Sequence, residues 1–435
     1  MKRFISLVML LIFACTGLTS TASADKQDLL FDRNTVSKEQ AIALADRFSY
    51  EYEYALVDLE NPDFDYVERN ESTALFLEYL RYNIETAKVF TLNYTDLTEK
   101  DFTIHSCLIS ENRIYVELYR SFTYHYVDAP EDLISGHGML YCFEMMEENN
   151  KLTIVGVKTE SVEYDYYEEE IRAYATRNDL PFVNAAEALT NEKIAQLPDE
   201  YAYWCEQVEA FDHKYIGDDY FDETAKINGD RSVNVSFTRS SAVAYGTTFG
   251  SQYENYIFKR MGADCTNFVS QCLWAGYGGT DGYSLTNTAA LKARVAANYR
   301  QTSTWFGRNY DSPYAYGTGP FIRVLELWSH ATTNTGDGPR ATGYNNGNVW
   351  TSLTVVPRTG DVLQFYNFSE GRYYHSVIVT KTTSPTLSNM LDNVWISQHS
   401  GEYTNRPLRA TLIANGGITN GKMRLMRPKA TTFAS

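Results

Sequence analysis

Cysteine is scarce in this chain, six among 435 residues, and proline nearly as sparse with eleven. No stretch is rich in Gly/Ser or Pro, which argues against domains on a loose tether and for docked ones. Beyond the first residues no apolar run approaches the roughly 20 needed for a membrane span, so none is expected. The seven histidines, at 105, 125, 137, 213, 330, 375 and 399, form no His-Glu-x-x-His and no short pair. A catalytic zinc site needs three closely organised ligands, so neither a catalytic metal nor another cofactor is expected. A basic excess is also missing. The net charge is −17, which makes nucleic acid an unfit partner.

What is present begins at the N-terminus. Met1-Lys2-Arg3 precedes an apolar run from Phe4 to Ala14 and a small-residue site, Ala22-Ser23-Ala24. That order is a secretory signal peptide over residues 1–24, cleaved after Ala24, and implies a secreted or wall-associated protein. Lipid attachment at Cys15 is a rival that Phe13 fits poorly. Five cysteines remain after cleavage, so at least one thiol stays unpaired. Cys107 and Cys142 lie in strand-like segments and could pair, or all five could be reduced.

Texture divides the remainder into residues 25–161, a connecting segment over 162–238 and a last part over 239–435. Ser37 with Gln40 reads as a capping box opening a helix, and a second helix is expected near Ala74–Val89. From Phe102 onward, β-branched and aromatic residues alternate with polar ones, as in Arg113–Tyr124, Gly138–Met146 and Leu152–Glu160. These predict an antiparallel meander, so the N-terminal part is α+β. The connecting segment is acidic and tyrosine-rich, from Tyr164-Asp165-Tyr166-Tyr167 to a turn at Asn228–Arg231. Residues 239–435 hold 18 Lys/Arg and 10 Asp/Glu, a net of +8, whereas residues 1–238 hold 20 and 45, a net of −25. The acidic part is therefore expected to dock on the basic one, and the basic one to be drawn to polyanions.

The sharpest segment is Gly262-Ala263-Asp264-Cys265-Thr266-Asn267-Phe268-Val269-Ser270-Gln271-Cys272. Phe268, Val269, Cys272 and Leu273 recur at helical spacing, with Asp264 as N-cap and Gly276 as stop. Cys265 then sits in the first turn, where unpaired N–H groups and the helix dipole favour a thiolate. Tyr374-His375-Ser376-Val377 reads as a strand opening on a histidine, a rigid place for a base. A third polar group must orient that base. The next strand, Asn393 to His399, offers His399, with Gln398 and Asn393 behind it. Gln252, Tyr253, Asn255 and Tyr256 are candidates for a second oxyanion donor, Tyr253 also for substrate contact. Trp305, Trp328 and Trp350, with Tyr310, Tyr314 and Tyr316, could line a stacking groove. Asp361 is expected to fix a turn.

Asp-Cys-Thr-Asn-Phe-Val-Ser-Gln-Cys at 264–272, Gly-Asp-Val-Leu-Gln-Phe at 360–365, His-Ser-Val-Ile-Val-Thr at 375–380 and Ser-Gln-His at 397–399 resemble the putative amidase domain of secreted bacterial proteins. That family is similar to the NlpC/P60 and CHAP cysteine hydrolases. The resemblance covers roughly Ser240 to Arg427. It implies a papain-like α+β domain with a helix packed on an antiparallel sheet. It also implies Cys265 as nucleophile, His375 as general base and a third polar residue that supports His399. The expected activity is hydrolysis of an amide, in peptidoglycan peptide given the export signal. The alternative is an inert papain-like module that binds cell wall or a protein.

Overall fold

The computed structural model describes residues 37–148, 151–211, 232–345, 355–386, 388–419 and 421–434. The expected signal peptide, Cys15, the turn at Asn228–Arg231 and Trp350 lie outside these residues. All described residues fall in one compact unit, Ser37–Ser435. Among them no helix is long and apolar enough to cross a membrane.

Helix α1, Lys38–Asp58, starts on the expected capping box: Ser37 Oγ accepts from Gln40 N at 3.2 Å, and Gln40 Oε1 accepts from Ser37 N at 2.8 Å. Helix α2, Glu71–Phe90, starts earlier than its apolar periodicity suggested, because Asn70 Oδ1 caps Ser72 N and Thr73 N. Four strands follow: β1 Tyr94–Ser110, β2 Arg113–Tyr126, β3 Ser135–Glu148 and β4 Lys151–Lys158. They form the meander, with every pair antiparallel. Cys107 on β1 and Cys142 on β3 have β2 between them. Two strand spacings, about 9.5 Å, exceed the reach of a disulfide, and all five described cysteines are free.

The connecting segment forms α3, Val162–Asn178, and α4, Phe182–Phe211. Beyond it come β5 Ser232–Val235, α5 Arg239–Phe249, α6 Cys265–Trp274, α7 Thr288–Ala296, α8 Gly319–Ile322, α9 Val324–Thr333 and β6 Arg340–Tyr344. The chain closes with β7 Val362–Asn367, β8 Arg372–Thr382, α10 Met390–Asn393, β9 Val394–Gln398, β10 Glu402–Pro407, α11 Leu408–Ala414, β11 Met423–Lys429 and β12 Thr431–Ala434. The class is α+β.

Among the described residues ten strands make one sheet, in the order β1-β2-β3-β10-β9-β8-β7-β11-β6, with β4 also paired to β3. The meander is thus continuous with the C-terminal strands through β3 and β10, where Glu402 pairs with Gly138 and Thr404 with Gly136. Helix α6 packs on one face of this sheet. Phe268, Val269, Cys272 and Leu273 share an apolar cluster with Val362, Ile378 and Met426 of the strands. Phe268 is fully buried, so Phe268→Ala should cost about 3–5 kcal/mol. The helix does not stop at Gly276 but runs into a π-turn over Ala275–Gly279, which ends where Gly278 takes φ of 89°. Gly276 is needed instead for close approach: a Cβ there would lie 2.3 Å from Phe237.

The acidic segment crosses the sheet near the start of β8. Glu163 of α3 pairs with Arg406, and Tyr166 stacks on Tyr374 with centroids 5.9 Å apart. Asn367 Nδ2 donates to Glu169 at 3.2 Å, and Arg409 lies over the Trp204 ring at 4.7 Å. Specific pairs, rather than diffuse charge, join the acidic and basic parts.

Candidate active site

Cys265 is the first residue of α6, and its helix opens with Phe268 N bonded to Asp264 O at 2.8 Å. The Asp264 carboxylate does not cap the helix. Oδ1 accepts from Met261 N at 2.8 Å and Asn267 Nδ2 at 2.7 Å, while Oδ2 meets His399 Nδ1 at 2.6 Å and Arg260 Nη1 at 3.8 Å. Burial pushes this carboxyl up, but the His399 hydrogen bond and the Arg260 charge outweigh it and hold it below its ordinary value. The carboxylate therefore ties the loop before α6, the helix start and the end of β9 into one buried cluster. Arg260 extends it to Glu402 at 2.7 Å and Glu160 at 3.3 Å.

The Cys265 sulfur faces the start of β8. Sγ lies 4.0 Å from Tyr374 O and 3.8 Å from Thr266 Oγ1. A bulge falls at this point, since Phe365 pairs with His375 but Tyr366 with Tyr373, which leaves Tyr374 as the extra residue. Cys265 is only 4% exposed. Burial pushes its thiol up, against the opposing pull of the Ser376 N–H and the Thr266 hydroxyl. The lowered thiol expected from the helix N-terminus is thus overridden by desolvation in this arrangement.

His375 follows Tyr374 directly. Ser376 turns towards α6, where its Oγ meets Thr266 Oγ1 at 3.0 Å. Strand alternation turns His375 the other way, towards Gln398 and the Glu163–Arg406 pair. The ring is fully buried, and among the described residues neither of its nitrogens has a hydrogen-bond partner; nor does Gln398 Oε1. Burial pushes the imidazole down to about 4, with Gln398 opposing. The structure therefore brings Cys265 to the backbone beside His375 but forms no bond between sulfur and ring.

His399 is placed on the α6 side. Nδ1 meets Asp264, Nε2 meets Phe249 O at 3.0 Å, and the ring stacks on Phe268 at 4.0 Å. The neighbour of His375 on β9 is instead Gln398. Asn393 bonds Thr383 and Asn389, away from both.

Tyr253 lines a cleft of about 240 Å³ between the meander and the Ser251–Tyr256 segment. Its ring lies under Arg260 at 4.2 Å and near His105 at 5.4 Å. Gln252 and Asn255 spend their amide groups on Thr248 O and Gln271 Oε1. Trp305 is fully buried against Phe321 and Phe433, so it fills the core rather than a stacking groove. Asp361 fixes its turn through Arg358 N at 3.0 Å and pairs with Arg239 and Arg427. The Asp264–His399–Arg260 cluster went unseen in sequence, although Asp264 beside the cysteine was a visible signal.

Residues 236–423 match the family described as "Putative amidase domain", which assigns that region coarsely to hydrolysis of amide bonds. No curated protein matches the chain. Among solved structures, the intermembrane space region of the chloroplast protein ARC6 is 14% identical, covering 29% of this chain and 97% of its own, with a TM-score of 0.22. That likeness is too slight to bear on fold or function.

Proposed function

We propose, with the amidase-domain match over residues 236–423 as premise, that this is a secreted cysteine hydrolase of papain-like type acting on peptidoglycan peptide. One observation carries the reading: Cys265 occupies the first turn of α6, with its sulfur against the strand start that bears His375. A thiolate there attacks the amide carbonyl, and N–H donors at the helix start hold the oxyanion. His375 takes the thiol proton and returns it to the leaving amine; water then hydrolyses the thioester. The substrate assignment rests on the export signal and the basic C-terminal part.

The arrangement described is a closed one. Cys265 is 4% exposed and His375 fully buried, so substrate reaches them only when the site opens. Tyr166 and Glu163 of α3 bear on the residues flanking His375, Tyr374 and Arg406. The acidic segment thus holds the site shut, and opening re-aims His375 from the bulge at Tyr374. The same burial favours a second reading, an inert module that binds wall or a protein.

Mass spectrometry of purified wall fragments separates the two. The mature protein should release peptides that each gain one water across an amide. Fragments left intact by a protein that nonetheless cosediments with wall material would favour the inert module.

A further inference from the structure

Four arginines among the described residues are buried: Arg120, Arg406, Arg409 and Arg424. Three have carboxylate partners, in Asp46 and Glu99, Glu163, and Asp392 respectively. Arg424 has none among the described residues, although it is only 6% exposed. Its guanidinium lies over the Trp328 ring at 4.2 Å and the Tyr373 ring at 4.0 Å. Nε donates to Gln364 Oε1 at 2.8 Å, while Nη2 is buried with no hydrogen-bond partner. A buried cation without a counter-ion is costly, so an anion that can pair with it is favoured there.

The position of Arg424 points to that ligand. Arg424 and Gln364 are cross-strand partners on β11 and β7. Gln364 Nε2 donates to Ser376 Oγ at 3.1 Å, and Ser376 meets Thr266, the neighbour of Cys265. A polar file therefore crosses three strands, from the residue beside the sulfur to the unpaired guanidinium. Two strand spacings separate Ser376 from Arg424, about 10 Å, or about three residues of extended peptide.

We propose that Arg424 binds a substrate carboxylate about three residues from the amide that Cys265 attacks. The spacing rests on Cys265 being the nucleophile; the anion site itself does not. With two rings against it, the guanidinium keeps Nη2 unpaired, which suits a small planar carboxylate.

The test is calorimetric binding to the Cys265→Ala chain, with N-acetyl-trialanine as free acid, the same peptide as C-terminal amide, and inorganic phosphate. The acid should bind about tenfold more tightly than the amide or more. Arg424→Gln should erase that gap and Arg424→Lys should keep part of it. Acid and amide binding alike, or a gap that survives in Arg424→Gln, overturns the proposal. Phosphate binding in place of the peptide acid assigns the site to a free anion and overturns it equally. The acid–amide comparison in the Cys265→Ala chain needs no Arg424 variant to fold. Because no hydrolysis is read, an inactive protein would sink the hydrolase reading and leave this result standing.

Discussion

Replacing His375 with glutamine should flatten one part of the pH dependence of stability. In the folded chain burial holds the ring neutral, with a pKa pushed down from 6.5 to about 4. The unfolded ring takes a proton below about 6.5. Between those two values the unfolded state binds more protons, so stability falls as pH falls, beginning near 6.5 and complete near 4. Two and a half pH units at 1.36 kcal/mol each amount to about 3 kcal/mol. Other groups titrate in the window. Asp165, pushed up to about 6 by burial and its acidic neighbours Glu168 and Glu169, works with the opposite sign. A double difference removes such terms: urea unfolding of parent and His375→Gln chains, each at pH 7.5 and 4.5. By pH 4.5 the parent should have lost about 2.5 kcal/mol more than the variant. Equal losses would show that the ring is not held neutral by burial, and the closed arrangement would lose its main electrostatic support.

Asp264→Asn sets an amide N–H against His399 and Arg260, breaking a buried ion pair; a cost of about 3–5 kcal/mol is expected, or roughly 4–6 °C in melting temperature for a unit of this size. The Asp264 pKa is lowered on folding, so its contribution is present above the unfolded value near 4 and lost as pH falls through the folded one. Calorimetric melting should show the gap at pH 7 and its narrowing below pH 4; a shift under 1 °C at pH 7 would contradict the pairing. Tyr166→Ala removes the ring stacked on Tyr374 and should speed iodoacetamide labelling of Cys265 several-fold, read by peptide mass spectrometry; an unchanged rate would mean that α3 does not restrain the site. Non-reducing peptide maps should show Cys107 and Cys142 as separate free thiols, and a crosslinked peptide would overturn the placement of β2 between β1 and β3.

Local chemistry was the most legible part of the sequence. Ser37 with Gln40, the alternation in Arg113–Tyr124 and the helical spacing after Cys265 each act within a few residues, and each marked its element. What was hidden depends on contacts far apart in the chain. The pairing of Glu402 with Gly138 joins residues more than 250 apart, and no local pattern announces it. That pairing also means that deleting residues 25–238 would strip β10 of β3, so point variants test the role of α3 more cleanly. His399 and Gln398 are adjacent and both polar. Strand alternation puts them on opposite faces, but which face meets His375 depends on how β8 enters the sheet through its bulge. Trp305 was indistinguishable from a surface aromatic because burial is set by Phe321 and Phe433, neither of which is near in sequence to the other.

The hydrolase reading stands or falls on a covalent intermediate. Rapidly quenched digests of wall peptide, mapped by mass spectrometry, should carry an acyl group on Cys265 in the parent chain and none in Cys265→Ala, which should also release no peptide. Release at the parent's rate by Cys265→Ala, or an acyl group mapped to any other residue, would contradict it.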